Sequence, residues 1–189
     1  MSSPRKKSFS QVDLAQLAKT HDEKGTPTQS FDMVIDDMGN WFHEGGQIKR
    51  MALVKLFASV LTRLDDGSYW LITPAERGQI TVMDAPFYVT SMRIEGAAQD
   101  TSEGTSHSGK PQQRIYLKTT LDDEILLGSD HQLRISHDDP AKGPRPYVNI
   151  RGGLDALIAR SVYYELAELA EDIDGGFVIM SDGVALSLD

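Results

Sequence analysis

The sequence predicts an α+β fold made of two tandem related domains, each a curved antiparallel sheet packed with a helix. Two observations carry that prediction. Apolar residues recur at helical spacing in two segments, and around each lie short aromatic and β-branched runs closed off by Gly, Pro, Asn or Asp. The second observation is a repeat in the order of elements. Strand 41–43, Gly45-Gly46, a helix, Asp66-Gly67, SYWLIT and QITV match strand 147–150, Gly152-Gly153, a helix, Asp174-Gly175, FVIM and VALSL, at an offset of about 105 to 108 residues. Residue identity between the halves is low, so chance similarity of two helix–hairpin units is the competing account. The agreement of glycine pair, helix length and hairpin length favours duplication. The expected domains are 1–29, a tail with a short helix; 30–90, the N-terminal repeat; and 91–189, the C-terminal repeat.

Taken in order, Ser10 and Asp13 have capping-box spacing, and Val12, Leu14, Leu17 and Ala18 suggest a short amphipathic helix. Residues 20–30 have linker chemistry. Phe31, Met33 and Ile35 alternate as strand residues do, 36–40 is a polar turn, and Trp41, Phe42 and His43 form the return strand of a hairpin. Ile48, Met51, Ala52, Leu53, Leu56, Phe57, Val60, Leu61 and Leu64 predict a helix of about four turns, stopped by Asp65-Asp66-Gly67. SYWLIT and QITVM are strands around a turn at 74–78, and a break at 84–87 precedes a strand at 88–93. Residues 99–113 are almost without apolar side chains and read as a long exposed loop. Strands follow at 114–119, 124–127 and 132–135, then a polar loop at 137–146 and a strand at 147–150. Leu154, Leu157, Ile158, Ser161, Val162, Leu166, Leu169 and Ala170 give the face of the second helix, and two strands, FVIM and VALSL, close the chain.

Composition excludes several classes of function. The chain has 189 residues, a net charge of −9 and a pI near 5.0, so duplex nucleic acid would have to be held against the field of the protein. Absence of cysteine removes disulfides, thiolate metal sites and thiol nucleophiles. No apolar run approaches the ~18 residues that span a bilayer, and the basic cluster in MSSPRKKSFSQ has no apolar segment behind it. A cytoplasmic location, no membrane and no duplex nucleic acid are the expectations. After Arg160 there is no Lys or Arg, while Glu165, Glu168, Glu171, Asp172, Asp174, Asp182 and Asp189 follow. That run is either a solvated acidic face or a partner-binding surface.

Candidate chemistry starts at His43-Glu44. A zinc-peptidase helix needs a second His four residues after the first, and position 47 is Gln. His21, His107, His131 and His137 are too scattered to complete a metal set, and His137-Asp138-Asp139 is a polar loop before it is a cation site. Gly45-Gly46 and Gly152-Gly153, each with an arginine nearby (Arg50, Arg151), are either turns or places where helix N-terminal N–H groups meet an anion. Neither pair belongs to a nucleotide-loop motif. No Ser-His-Asp set assembles from spacing, and no catalytic or metal-ligating residue is assigned. Of Tyr163 and Tyr164, one is expected to pack on the sheet and the other to reach a polar seam between the repeats.

FHEGGQIKRMALVKLFASVL, YWLITPAE, VMDAPF and NIRGGLDALIARSVYYEL together resemble a bacterial family of unknown function, number 1285 in the domain-of-unknown-function series. The resemblance spans roughly residues 31–189. It implies a domain duplication whose C-terminal half is superficially similar to pleckstrin-homology-like domains. It also implies a nucleotide-like ligand between the halves and a role in signal transduction. On this chain the matching positions are His43, Glu44 and Arg50; Thr73, Pro74 and Glu76; Asp84, Pro86 and Phe87; and Asn149, Arg151, Arg160 and Tyr164. The chain departs from the family pattern at Ser161, where a proline is expected, and by one extra residue in the 36–39 turn.

The function expected is therefore a non-catalytic ligand-binding or sensor protein, taking a nucleotide-like small molecule in the seam and needing no cofactor. The alternative is a protein-interaction module that meets a signalling partner through the acidic C-terminal face or an exposed sheet edge. A hydrolase would need convergent carboxylates or histidines in a cleft.

Overall fold

The structure is a computed structural model describing residues 16, 20, 29–96, 113–138, 141 and 143–188. The described residues form two compact units, one up to Pro86 together with Arg151–Leu154, the other Phe87–Ile150 with the residues from Asp155. Of the short helix expected around Val12, only Gln16 and Thr20 are described, both helical, and the loop expected at 99–113 lies outside the described residues except for Gln113.

In the first unit, β1 (Gln29–Ile35) follows the alternation, with Met33 and Ile35 buried. The Asp36 carboxylate accepts the N–H groups of Met38 (2.9 Å) and Asn40 (2.8 Å), which closes the turn into β2 (Trp41–His43). Then come β3 (Gly46–Gln47), α1 (Met51–Ser59), β4 (Leu61–Arg63), β5 (Tyr69–Ile72) and β6 (Arg77–Val82). The sheet order is β3-β2-β1-β6-β5-β4, with β1 and β6 parallel and the other neighbours antiparallel. Trp41 stacks on Phe57 of α1 at 6.1 Å between ring centroids. Ile35, Leu61 and Ile72 are fully buried, each contributing about 1.5–3 kcal/mol of transfer free energy.

The second unit holds β7 (Phe87–Glu95), β8 (Arg114–Thr119), β9 (Glu124–Leu126), β10 (Leu133–Ser136), β11 (Arg145–Arg151) and β12 (Leu154–Ile158). Their order is β10-β11-β12-β7-β8-β9, again with a parallel joint, β12 against β7. α2 (Arg160–Glu168) leads into a separate three-stranded sheet of β13 (Glu171–Ile173), β14 (Gly176–Ser181) and β15 (Val184–Ser187). Val162 and Leu166, one helical turn apart, are the buried stripe of α2.

Ser181 ties this small sheet to the larger one. Leu127 N–H donates to Ile115 O at 2.9 Å, one half of a ladder pair continuing the β8–β9 register. The other half is opened by a side chain: Ile115 N–H donates to Ser181 Oγ (3.0 Å), and Ser181 Oγ–H donates to Leu127 O (2.7 Å).

Both helices are shorter than their apolar spacing predicts, nine residues each. The first ends at Ser59 rather than Leu64. Leu61, Thr62 and Arg63 are drawn out as β4 against Leu71, Trp70 and Tyr69, and Ile72 N–H donates to Val60 O at 3.0 Å. The second starts at Arg160 rather than Leu154. Leu154, Ala156 and Ile158 are buried while Asp155 and Leu157 are half-exposed, so the run LDALI obeys a period of two. The repeat itself holds in full: β2, β3, α1, β4, β5, β6 and β11, β12, α2, β13, β14, β15 occur in the same order. No helix among the described residues is long and apolar enough to cross a membrane.

Candidate functional site

The two glycine pairs are hairpin turns. Glu44 and Gly45 have φ of 49° and 75°, and Gly152 and Gly153 have 51° and 74°. Positive φ at both central residues is the type I′ pattern that suits the strand twist of a two-residue hairpin. A strand follows each turn, so neither pair lies at a helix N-terminus, and the expected anion site on helix N–H groups does not form. His43 and Glu44 project into solvent at this turn. Arg50 is exposed too, and its carbonyl receives the Leu53 and Val54 N–H groups at the start of α1.

Several other expected residues have structural partners. The Thr73 hydroxyl accepts the Ala75 and Glu76 N–H groups at 3.3 and 3.1 Å, which shapes the exposed turn carrying Pro74 and Glu76. Asp84 is half-buried, Pro86 is buried and Phe87 is 0% exposed, a core residue. Asn149 Nδ2 donates to Asp155 at 3.2 Å and its carbonyl accepts His131 Nδ1–H at 2.9 Å, cross-linking strands of the second sheet. Arg151 Nη2 donates to Ala58 O at 2.8 Å. That carbonyl is among the last four of α1 and also accepts a backbone N–H at the helix C-cap, so the guanidinium adds a second, charged donor at the negative end of the helix.

Arg160 has different surroundings. It begins α2 and lines a cavity of about 390 Å³ in the second unit, together with Tyr88 of β7, Arg145 and Pro146 of β11, Leu157 and Ile158 of β12, Tyr163 of α2, and Ala141 and Pro144. Among the described residues of that lining, the only charged side chains are the two arginines. Arg145 Nε donates to Tyr147 Oη at 3.1 Å, which fixes the plane of its guanidinium. Tyr163 is half-buried, and its hydroxyl donates to Leu188 O at 3.4 Å; Tyr164 is 58% exposed. One tyrosine therefore faces the fold and one faces water. Guanidinium groups offer bidentate hydrogen bonds to phosphate or carboxylate, and tyrosine rings offer a stacking surface.

The first unit has a second cavity, about 480 Å³, lined by Arg63, Leu64, Asp65, Gly67, Gly152 and Gly153. Here Asp65 opposes the cation, and Arg63 Nη1 already donates to Gly153 O at 3.4 Å. Among the described residues no group of three or more His, Asp and Glu could hold a metal ion.

Of the thirteen residues expected at a site, Arg160 alone lines the cavity of the second unit. Sequence reasoning missed Arg145, Tyr88 and Tyr163 as partners of Arg160. The available signal was GPRP, a cation held between two prolines just before a strand.

Comparison with known families and structures agrees along the chain. Residues 23–85 match the N-terminal domain of unknown function DUF1285, and residues 86–188 match the C-terminal domain of the DUF1285 proteins of unknown function. The crystal structure of a DUF1285 family protein from Silicibacter pomeroyi DSS-3 is 34% identical, covers 86% of this chain and 82% of its own, and superposes with a TM-score of 0.73. A DUF1285 family protein from Shewanella baltica OS155 shares the fold at 23% identity and a TM-score of 0.52, over 73% of this chain and 91% of its own. None of the curated proteins matches.

Proposed function

The chain belongs to the DUF1285 family, and from that premise we propose that it is a non-catalytic binding module whose C-terminal unit takes a small anionic, nucleotide-like ligand in the Arg145/Arg160 cavity. One observation carries the reading. In a chain of net charge −9, the described lining of a cavity of about 390 Å³ holds two arginines and no carboxylate. Its volume lies in the range of ordinary small-ligand pockets, and its apolar walls (Pro146, Leu157, Ile158) with two tyrosines suit a molecule that is part planar and part charged. The described lining offers no imidazole, carboxylate, thiol or aliphatic hydroxyl to move a proton or attack, which favours binding over turnover. Occupancy is then the output, the logic of a sensor in signal transduction. The resemblance implies a ligand between the halves; the proposal rests instead on residues of the C-terminal unit.

Thermal shift with adenosine monophosphate, guanosine monophosphate and inorganic phosphate tests it. A ligand at a hundred times its Kd stabilises by about 2.7 kcal/mol. Stabilisation by at least one of them, lost in both Arg145→Ala and Arg160→Ala, is the expected result. No stabilisation by any, or stabilisation that survives both substitutions, sinks the proposal.

A further inference from the structure

We propose that the edge strand β13 and the outer face of the β13–β15 sheet dock an extended, basic segment of a partner protein. Among the described residues β13 ends its sheet, with β14 on one side only, and all three of its residues are exposed. Backbone groups on the unpaired side of such a strand are a template for another strand.

The pairing register sorts the side chains. Glu171 lies opposite Val178 and Ser187, Ile173 opposite Gly176, and Met180 opposite Ala185. These residues share one face. On the other face Ile179, Ser181, Leu186 and Leu188 are buried, and only its edge, Asp172 paired with Phe177, is exposed, so the first set is the outer face. Ile173 and Met180 are 43% and 42% exposed there, with Val178 between them half-buried. An apolar outer face beside an open edge is a combination that soluble proteins ordinarily blunt with mixed charges.

The charges here have one sign. From residue 161 onward the chain has no Lys or Arg, and Glu165, Glu168, Glu171, Asp172 and Asp174 all lie on α2, β13 or the turn that follows. Among the described residues none of these five is ion-paired; Asp182, further on, pairs with Arg114. A second copy of this chain would bring the same acids against themselves, which repels self-pairing. An incoming strand with Lys or Arg at alternate positions places them on the face of Asp172, while the apolar positions between them lie on the outer face beside Ile173. Glu171, next along the same edge, adds to the field that favours the cations.

The probes are two peptides of equal length, one alternating Lys and Val, the other alternating Glu and Val, titrated into the full chain with amide shifts followed by NMR. The Lys peptide is expected to perturb amides of residues 171–174. Its affinity should fall at least tenfold in Glu171→Lys/Asp172→Lys, and fall again between low and physiological salt. Because both substituted side chains are exposed, far-UV circular dichroism should be unchanged. Equal binding of both peptides, an unchanged affinity in the double variant, shifts mapping away from β13, or concentration-dependent dimerisation through this strand without peptide would each overturn the proposal.

Discussion

Replacing Ser181 by Ala tests how the two sheets of the second unit are joined. The hydroxyl is fully buried and bridges Ile115 N–H and Leu127 C=O, both on residues of 0% exposure. Removing it orphans one buried donor and one buried acceptor, at about 1–3 kcal/mol each. The β8–β9 ladder can close partway and recover some of that loss, because its companion bond, Leu127 N–H to Ile115 O, is already made at 2.9 Å. The net cost expected is about 2 kcal/mol. For the whole chain of 189 residues unfolding as one, that corresponds to a fall in Tm of roughly 4–8 °C. Equilibrium denaturation gives the free energy, and hydrogen exchange at the Ile115 amide gives the site. A loss below about 0.5 kcal/mol, with the Ile115 amide as protected as before, would refute the bridging account.

Three further outcomes follow from local geometry. A Cβ on Gly78 would come within 2.4 Å of the Phe31 ring across the parallel β1/β6 pair, so Gly78→Ala should cost about 1–3 kcal/mol in denaturant. Combining it with Phe31→Ala should cost less than the two changes added. Glu44 holds φ of 49° at an exposed turn, so Glu44→Asn should stabilise by about 0.5–1 kcal/mol in thermal unfolding; a loss would show that the glutamate has a partner of its own. Arg93 donates to Glu124 at 2.6 and 3.0 Å, which with the more distant charge of Lys118 holds that carboxyl below the usual glutamate range. Its stabilising contribution is present above the unfolded glutamate pKa and is lost as pH falls through the depressed value. Carbon NMR of the carboxyl should show the low midpoint, rising in Arg93→Met.

The fold was legible where a pattern fits one period only. Met33 and Ile35 fix β1 by alternation, and the two hairpins of the C-terminal sheet are bounded by Asp-Gly pairs that adopt positive φ at 174–175 and 182–183. LDALI was not legible, because Leu154, Leu157 and Ile158 satisfy a helix while Leu154, Ala156 and Ile158 satisfy a strand. Parallel pairing with Phe87, Tyr88 and Val89, almost seventy residues earlier, decides between them. Gly45-Gly46 reads as the entry to a helix in the sequence because β3 is only two residues, Gly and Gln, with no apolar position to announce it. The cavity is a non-local product of β7, β11, β12 and α2, so Arg145 and Arg160 meet only after the sheet has formed.

Calorimetric titration of a nucleoside monophosphate into the wild-type chain and into Arg145→Met/Arg160→Met tests the binding account most directly. The account predicts saturable binding by the wild type at one site per chain. It predicts a loss of at least a hundredfold in the double variant, about 2.7 kcal/mol, with Arg145→Lys and Arg160→Lys intermediate. Equal affinity in wild type and double variant would contradict it.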